Sequence, residues 1–461
     1  MVDSDATAPA DLVILGGGSA GYAAAFRAAE LGMAVTLIEQ GKLGGTCLHR
    51  GCIPTKALLH AAEVADLTRE SENFGVMATL DGIDMPRVHT YKDGVVEKLY
   101  KGLQFLAKSH RVTIVNAPGR VESPTTVEAA GQRYEGKHIL LATGSAPKVL
   151  PGLQIDGEVI ITSEHALTLD RIPKSVVILG GGVIGVEFAS IWRSFGAEVT
   201  IVEALPALLP TEDAHTSKLL ERAFRRRSIT ARTGVRFASA VRDDSGVHVT
   251  LEDGATLDAE LLLVAVGRGP VSADLGFVEA GVTLDRGYVV VDELCRTSVP
   301  TISAAGDLIA TPQLAHVGFA EGILIAERLA GLPATPIDYP GVPRVTYSDP
   351  EVASVGLTED QAKDKFGATE SFVFDLAGNG RAQILRTSGA VKVIQQKGGP
   401  VVGIHIVGAR AGDLIAEAQL IYNWEACADD VANLIHPHPT LSEAIGEAHL
   451  ALAGKPLHVH L

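Results

Sequence analysis

A glycine-rich segment occurs twice in this 461-residue chain, and this repeat constrains the possible fold more than any other feature. Residues 13–18 read VILGGG, and the same six letters return at 177–182, an offset of 164 positions. Two acids, Glu39 and Glu203, keep the same offset. Each copy predicts a strand, a tight turn, a helix and a second strand ending in Glu, which is the opening of a Rossmann-like βαβ unit.

The glycines of each copy have separate physical roles. The first permits the tight turn, the second lets backbone approach a pyrophosphate, and the third lets the helix pack closely on the strand. The helix N-terminus offers free N–H groups to phosphates, and the terminal acid can accept from a ribose hydroxyl. The positions are Gly16, Gly18 and Gly21 in the first copy, and Gly180, Gly182 and Gly185 in the second, whose helix begins at Val183 and Ile184. A single match could be an ordinary strand-to-helix turn, but two full copies predict two dinucleotide sites.

The acid that closes the second copy bears on which nicotinamide is used. A carboxylate at Glu203 would repel a 2′-phosphate, and the following Ala204, Leu205 and Pro206 supply no arginine to hold one. The sequence therefore favours NAD over NADP.

Bulk properties exclude several classes of protein. The formal net charge of -16 argues against nucleic-acid binding, because phosphates would be repelled. No apolar run approaches the roughly 18 residues of a membrane span. Residues 1–5, MVDSD, have neither a basic nor an apolar region of a signal peptide, so a cytoplasmic protein is expected.

The length predicts several domains, and the motifs suggest where they lie. We expect an α/β fold with two Rossmann-like dinucleotide-binding domains and a C-terminal α+β dimerisation domain. The first Rossmann unit should occupy 1–150, the second 151–275, a central segment 276–345 and the α+β unit 346–461. The last unit is predicted from short alternating strands followed by Ala-rich helices, without a Gly-rich loop.

Two of the four cysteines, Cys47 and Cys52, lie close together soon after Glu39. The Cys-x4-Cys spacing is not typical of zinc sites, and no second pair lies nearby. In an ideal helix their Cα atoms would be roughly 8–9 Å apart, whereas a disulfide needs less than about 7 Å. A redox pair therefore requires a distorted segment, and Gly51 supplies backbone freedom. The alternative interpretation is that Cys47 and Cys52 are two buried free thiols that pack as small hydrophobic side chains. We favour this interpretation for the isolated Cys295 and Cys427.

A second chemical signal is the segment 436–443, HPHPTLSE. Thiol–disulfide exchange needs a thiolate, and a histidine that titrates near pH 7 can take the thiol proton. A carboxylate on the other ring nitrogen would fix its tautomer. Thr440 and Glu443 also fit a helix capping box, so spacing alone leaves the catalytic and structural interpretations of His436, His438 and Glu443 open.

Residues 44–56, GGTCLHRGCIPTK, closely resemble the active-site segment of class I pyridine nucleotide-disulfide oxidoreductases, dihydrolipoamide dehydrogenase especially. The resemblance covers essentially the whole chain. It implies that Cys47 is the interchange thiol and that Cys52 lies against a flavin as the charge-transfer thiolate. It also implies that Lys56 sits near the flavin and pairs with Glu187.

The same resemblance implies a base at His438 with Glu443 as its partner, leaving His436 as second choice. Because this pair reaches the disulfide of the other subunit in the family, the active enzyme should be a homodimer. FAD and NAD are the implied cofactors, and no metal is expected. The four expected domains then become the FAD-binding, NAD-binding, central and interface domains.

The resemblance also implies which residues bind each cofactor. Those expected at FAD are Gly16, Gly18, Gly21, Glu39, Lys56, Gly119, Thr143, Gly144, Ser145, Asp307, Gln313, Leu314, Ala315 and His316. Those expected at NAD are Gly180, Gly182, Val183, Ile184, Gly185, Glu187, Glu203 and Gly267.

The implied activity is oxidation of dihydrolipoamide with reduction of NAD, the substrate being carried on a lipoyl domain of a 2-oxoacid dehydrogenase or glycine cleavage complex. A mercuric reductase should add a C-terminal cysteine pair, but residues 457–461 read LHVHL, whose histidines are either a metal-binding pair or part of a frayed tail. A glutathione reductase should prefer NADP, and a transhydrogenase would lack the cysteine pair. A non-catalytic nucleotide-binding module should have lost Cys47, Cys52 or His438.

Overall fold

The computed structural model describes residues 9–460. The segment examined for a signal peptide, residues 1–5, lies outside them. The chain divides into two compact units. The first contains the described residues up to Ala57, together with Pro86–Lys148 and Arg268–Tyr339. The second contains Leu58–Met85, Val149–Gly267 and the described residues from Pro340 onward.

The described residues contain strands and helices throughout, with helices between strands in the two glycine-motif segments and long runs of strands elsewhere. The strands are β1 (Ala10–Leu15), β2 (Val35–Glu39), β3 (Thr113–Asn116), β4 (Gly119–Ser123), β5 (Thr126–Ala129), β6 (Gln132–Leu141), β7 (Ser145–Pro147), β8 (Ile160–Thr162), β9 (Ser175–Leu179), β10 (Glu198–Glu203), β11 (Ile229–Thr233), β12 (Phe237–Asp243), β13 (Gly246–Leu251), β14 (Thr256–Ala259), β15 (Leu261–Val264), β16 (Arg268–Pro270), β17 (Leu284–Asp285), β18 (Tyr288–Val289), β19 (Ile302–Ala304), β20 (Arg344–Thr346), β21 (Glu351–Gly356), β22 (Thr369–Asp375), β23 (Ala390–Gln396) and β24 (Val401–Gly408). The α-helices are α1 (Ser19–Glu30), α2 (Gly45–Arg50), α3 (Cys52–Arg69), α4 (Met85–Ser109), α5 (Ser163–Ala166), α6 (Val183–Phe195), α7 (Ala214–Arg226), α8 (Ala315–Leu329), α9 (Glu359–Phe366), α10 (Gly380–Leu385), α11 (Ala411–Asn423), α12 (Ala428–Ala432) and α13 (Glu443–Leu452).

The first unit is built on a sheet whose parallel strands run in the order β3-β2-β1-β6, with β19 on the other side of β6. The strands β4 and β5 extend it in antiparallel fashion from β6. Every residue of β1 except Asp11 is buried, as expected for a parallel strand covered on both faces. The helix α1 connects β1 to β2, which are paired in parallel.

The second unit contains a sheet of the same design. Its parallel strands run in the order β11-β10-β9-β15-β8. The strands β12, β13 and β14, which lie between β11 and β15 in the chain, form a separate small antiparallel sheet. The helix α6 connects β9 to β10 as α1 connects β1 to β2. The duplication seen in the sequence therefore gives two sheets with equivalent strand order, which confirms the prediction of two Rossmann-like domains.

The remainder of the second unit is an antiparallel sheet of order β20-β21-β24-β23-β22, covered by C-terminal helices. Strand β24 is buried along its whole length, and residues of α11 and α13 complete a hydrophobic core with it. The predicted α+β character of this part of the chain is confirmed. Within residues 9–460, no helix is both long and apolar enough to cross a membrane.

Candidate active site

The two glycine motifs pack identically around their turns. A Cβ on Gly16 would lie 2.2 Å from the Ala142 carbonyl oxygen, and one on Gly21 would lie 1.9 Å from that of Gly16. The corresponding distances at Gly180 and Gly185 are 2.3 and 1.9 Å. Both first glycines have positive φ, 107° and 108°. These positions can therefore hold only glycine, because an added side chain would overlap backbone atoms.

The middle glycine of each motif is different. A Cβ on Gly18 or Gly182 would meet no atom within 4 Å, although each residue directly precedes a helix. The space in front of these helix N-termini is open, and the free N–H groups face it. The two turns thus fit a diphosphate group, with the packing role at the outer glycines and the ligand space at the central one.

The acids at the ends of β2 and β10 are held in the same way. Glu39 accepts the N–H of Gly17 at 2.6 Å and that of Gly41 at 2.7 Å, one on each carboxylate oxygen. Glu203 accepts the N–H of Gly181 at 2.6 Å and that of Leu205 at 2.7 Å. Each carboxylate oxygen retains a lone pair, so both acids can still accept from a ribose hydroxyl.

The cysteine segment is broken between the two thiols. Cys47 lies in α2 and Cys52 begins α3, with Gly51 between them in a non-helical conformation, φ -149° and ψ -112°. A Cβ on Gly51 would lie 3.0 Å from the Thr46 carbonyl oxygen, so glycine allows a close approach of backbone. The predicted distortion at Gly51 is confirmed, and it brings the two sulfurs together.

Both cysteines are thiols in this structure, half-buried, with a hydrogen bond joining their side chains. That hydrogen bond is the main reason why the pKa of Cys47 lies well above the usual range of a thiol; burial adds to it. The positive charge of Lys56 acts in the opposite direction. The reduced pair therefore favours the protonated form of Cys47, and a base that meets it would help to remove this proton.

Tyr22 is a neighbour of the thiol pair that sequence reasoning missed. Its pKa is raised to about 12, chiefly by burial and then by electrostatic interaction with the thiolate forms of Cys47 and Cys52. Its ring contacts those of Phe26 and Phe319. The residue directly follows the third glycine of the first motif, but nothing in that motif indicates that it faces the cysteines.

Three strand ends of the first unit meet around Ser145. Its hydroxyl donates to Asp307 at 2.5 Å, and Arg268 donates to the Ser145 hydroxyl at 2.8 Å and carbonyl at 2.6 Å. The hydroxyl of Thr143 donates to the Val271 carbonyl at 2.6 Å, and the carbonyl of Gly144 accepts the Val271 N–H at 2.9 Å. The predicted cofactor residues of the 143–145 loop thus lie beside Asp307. Arg268, which follows Gly267, was not predicted.

A fully buried carboxylate, Glu321, holds the segment around Asp307. It accepts the N–H of Gly306 at 2.6 Å, the Thr311 hydroxyl at 2.8 Å and the Tyr339 hydroxyl at 3.0 Å. Burial raises the pKa of this carboxyl group, against the lowering effect of those hydrogen bonds. Residues 313–316, predicted at the flavin, lead from this segment into α8.

Gly119 begins β4, and its backbone lies against the ends of two other strands. A Cβ there would lie 2.8 Å from Leu15 and 2.9 Å from Ile38. Since the first glycine turn follows β1 and Glu39 ends β2, the structure places Gly119 at the same edge of the sheet as these two predicted FAD contacts.

The second unit contains the predicted base. The Nδ1 atom of His438 lies 2.8 Å from Oε1 of Glu443, while Oε2 of Glu443 accepts the Thr440 N–H at 2.8 Å. The helix α13 begins at Glu443 itself, so the acid is not at the third position that a capping box requires. The carboxylate nevertheless bonds to both groups, to the His438 imidazole through one oxygen and to the Thr440 backbone through the other. Burial opposes ionisation of Glu443, but the bonds from Thr440 and His438 prevail and lower its pKa.

The two histidines of this segment differ in environment. The side chain of His438 is 75% exposed, whereas that of His436 is 13% exposed and bonds through Nε2 to Glu417 at 2.6 Å. That bond to Glu417 is the main reason why the pKa of His436 is raised. An exposed imidazole fixed by a carboxylate can meet a substrate or another chain, so the structure supports His438 over His436 as the base.

The other residues expected at NAD lie around the second glycine turn. Val183 and Ile184 open α6, and Gly267, with φ 106°, follows β15 with open space at its Cβ position. Glu187 is buried, and its carboxylate accepts the Tyr347 N–H at 2.9 Å. In the described part of the chain no three His, Cys, Asp or Glu side chains form a cluster suited to a metal ion.

Two dinucleotide-binding folds, together with a pair of adjacent cysteines that follows the first, define a dinucleotide-dependent thiol–disulfide oxidoreductase. Comparison with known families agrees: the pyridine nucleotide-disulphide oxidoreductase model matches residues 10–322, and the dimerisation domain of the same family matches residues 342–449. The chain belongs to the pyridine nucleotide-disulphide oxidoreductase family.

The similarity extends to relatives along nearly the whole chain. A dihydrolipoyl dehydrogenase of Bacillus subtilis is 40% identical, with 97% of this chain and 99% of that protein covered. A mitochondrial dihydrolipoyl dehydrogenase of Pisum sativum is 39% identical, with 97% and 92% covered. Among solved structures, LpdA of Mycobacterium tuberculosis superposes with a TM-score of 0.90 at 29% identity, covering 96% of this chain and 99% of LpdA.

Proposed function

We propose that this protein oxidises dihydrolipoamide to lipoamide and reduces NAD+ to NADH, with FAD as its bound cofactor. The observation that carries the proposal is the hydrogen-bonded pair Cys47–Cys52, set across a helix break just after the first dinucleotide motif. The relatives that match over the full length bear the name dihydrolipoyl dehydrogenase.

FAD fits the first unit. The open space at Gly18, the carboxylate of Glu39 and the Ser145–Asp307 pair would hold its diphosphate, ribose and ribityl groups. NAD fits the second glycine turn, where Gly182 and Glu203 occupy the equivalent positions. When bound, the flavin supplies the two-electron chemistry that links a dithiol to a nicotinamide. We assign 1–150 to the FAD-binding domain, 151–275 to the NAD-binding domain, 276–345 to a central domain that completes the FAD site and 346–461 to the interface domain.

The thiol chemistry follows from the two sulfurs. In the oxidised protein Cys47 and Cys52 share a disulfide, and a substrate thiolate attacks the Cys47 sulfur so that Cys52 leaves as a thiolate. The second substrate thiolate then displaces Cys47 and closes the lipoamide ring. Two electrons thereby pass to the cysteine pair.

His438 is the proposed base for the two thiol protons. Its Nδ1 is bonded to Glu443, so Nε2 is the atom available to a thiol. Glu443 stabilises the imidazolium that forms, and Lys56 stabilises a thiolate in the cysteine pair. The dimerisation domain in the match supports a homodimer, in which His438 would act on the partner's cysteine pair.

The carboxylate of Glu203 favours NAD over NADP, since a 2′-phosphate would meet its negative charge. We place the enzyme in the cytoplasm and propose that its substrate is carried on a lipoyl domain of a 2-oxoacid dehydrogenase or glycine cleavage complex.

The test is an assay of the purified protein with NADH and NADPH, each against lipoamide, glutathione disulfide and mercuric ion. We expect turnover with NADH and lipoamide. The Cys47→Ser variant should lose that turnover while keeping bound flavin, whereas Cys427→Ser, which changes a cysteine remote in sequence, should retain it. Lipoamide turnover by Cys47→Ser, or preference for another acceptor, would refute the proposal.

A further inference from the structure

The C-terminal tail carries a histidine whose position the reaction above does not explain. His458 lies with Nδ1 2.7 Å from Oε1 of Glu447, and its backbone N–H donates to Oε2 of the same carboxylate at 3.2 Å. The side chain of Glu447 is only 9% exposed. A carboxylate this buried is costly unless it is hydrogen-bonded, and His458 serves both of its oxygens.

The tail is fixed at more than one point. The side chain of Val459 packs against the hydrophobic core that α11 and α13 share with the antiparallel sheet. The Lys455 ammonium lies 3.1 Å from Asp429, and its backbone N–H donates to the Leu450 carbonyl at 2.8 Å. The tail therefore folds back along α13 and holds the imidazole of His458 against that helix.

The carboxylate that His458 holds is one helical turn from the carboxylate that holds the base. Glu443 and Glu447 are four residues apart on α13 and share one face of the helix. The two His–Glu pairs are alike, because His438 and His458 both direct Nδ1 to a carboxylate and leave Nε2 free of it. His458 is also close enough to act electrostatically on Glu443.

We infer that the tail belongs to the base assembly, and that His458, held on Glu447, is a positioning residue that sets the charge around His438 and Glu443. The inference rests on the proposed role of His438 as thiol base. Like charges four residues apart on a helix repel, and the imidazole of His458 bonds to one of these two carboxylates.

Other charged groups face the same helix. His436, bonded to Glu417, packs against Gly446 and interacts with the charge of Glu443. The buried His449 interacts with Glu417 and His436, and its pKa is lowered to about 4, mainly by burial, so it is neutral near pH 7. His438, His436 and His458 are therefore the histidines that bond to Glu443, Glu417 and Glu447, respectively.

Replacing His458 by Gln removes the imidazole that is bonded to Glu447, so the negative charge of this carboxylate should act more strongly on the base, and His438 should keep its proton to higher pH. For His458→Gln we expect the acid limb of the kcat/KM profile for dihydrolipoamide to move up by roughly 0.2–0.4 pH units. His458→Arg, which supplies a positively charged donor to Glu447, should restore the limb. His460→Gln changes the other tail histidine and should leave the profile unaltered.

The experiment compares these three variants with the parent enzyme, using NADH oxidation by ferricyanide as a reaction that needs no thiol base. A shift in His458→Gln, reversed in His458→Arg, with unchanged ferricyanide rates, supports the inference. Coincident profiles for His458→Gln and the parent, or equal shifts in the Gln and Arg variants, overturn it. His438→Gln separates the two proposals, since full dithiol oxidation by that variant would refute the proposed base itself, and with it the role of His458.

Discussion

The ammonium group of Lys392 donates to both carboxylate oxygens of Asp213, at 2.8 and 2.9 Å. Both side chains are almost fully buried within the second unit. The same carboxylate accepts the N–H groups of His215, at the start of α7, and of Glu359. A single buried acid thus joins α7, strand β23 and the beginning of α9.

Removing one partner of this buried ion pair should destabilise the protein strongly. Replacing Lys392 by Met leaves a buried carboxylate without its cation, which costs about 3–5 kcal/mol. The matched control is Lys101→Met, which removes the exposed pair with Glu97 and should cost at most about 0.5 kcal/mol. Urea unfolding of both variants measures the two free energies, and similar values would contradict the burial argument.

The pH dependence of stability at low pH should also report on Asp213. Burial would raise its pKa, but the bond from Lys392 and the backbone N–H groups lower it to about 2, from an ordinary value of 3.8. A carboxyl whose pKa is lowered by folding stabilises the protein above its unfolded pKa and loses that contribution as pH falls through the folded one. The contribution is about 2 kcal/mol, present above about pH 4 and lost towards pH 2.

The measurement is the free energy of unfolding at a series of pH values between 5 and 2, for the parent and for Asp213→Asn. The parent should lose stability more steeply over this range, and the difference between the curves isolates the contribution of Asp213. Parallel curves would show that the carboxyl titrates at the same pH in the folded and unfolded chains.

The Rossmann units could be predicted from the sequence because their determinants are local. The glycines, the helix and the closing acid all lie within about one βαβ unit, and each spacing has one physical reason. The break at Gly51 was equally predictable, because a regular helix between Cys47 and Cys52 would keep the sulfurs apart.

The remaining contacts depend on chain segments far apart in sequence. Ser145 bonds to Asp307 across 162 residues, and Lys392 bonds to Asp213 across 179. Neither pair follows a period or a spacing that a sequence pattern displays. The His438–Glu443 pair is local, yet Thr440 and Glu443 also fit the spacing of a capping box, and only the geometry shows that one carboxylate oxygen bonds to His438 and the other to the Thr440 N–H.

The cofactor segment around Asp307 should depend on the buried acid Glu321. In Glu321→Gln the amide carbonyl can still accept the Gly306 N–H, but the NH2 group requires the Thr311 and Tyr339 hydroxyls to accept where they now donate. Hydrogen bonds to a carboxylate are stronger than those to a neutral amide, and both hydroxyls must find another acceptor, so we expect FAD retention to weaken.

The measurement is the fluorescence of FAD released after dilution of the purified protein. Tyr339→Phe, which removes one of the three bonds, should release FAD more slowly than Glu321→Gln. Equal retention by Glu321→Gln and the parent would show that the segment is held by other contacts.

Substitution by alanine should affect stability very differently at the outer and the central glycine of the second motif. In Gly185→Ala the new Cβ would lie 1.9 Å from the Gly180 carbonyl oxygen, a backbone atom, so the turn must move and the protein should lose several kcal/mol of stability. In Gly182→Ala the Cβ meets no atom within 4 Å and the residue has φ -77°, so the fold should tolerate the change to within about 1 kcal/mol.

Among these glycine variants, NADH affinity should not change in parallel with stability. The Cβ of Gly182→Ala would occupy the space into which a pyrophosphate must fit, so its NADH affinity should fall although its melting temperature is retained. Gly102→Ala, an open glycine within α4, is the matched control and should raise helix stability without altering NADH affinity. Thermal melts and NADH titrations of the three variants test this. Normal NADH affinity in Gly182→Ala would mean that the ligand does not approach the backbone at the central glycine.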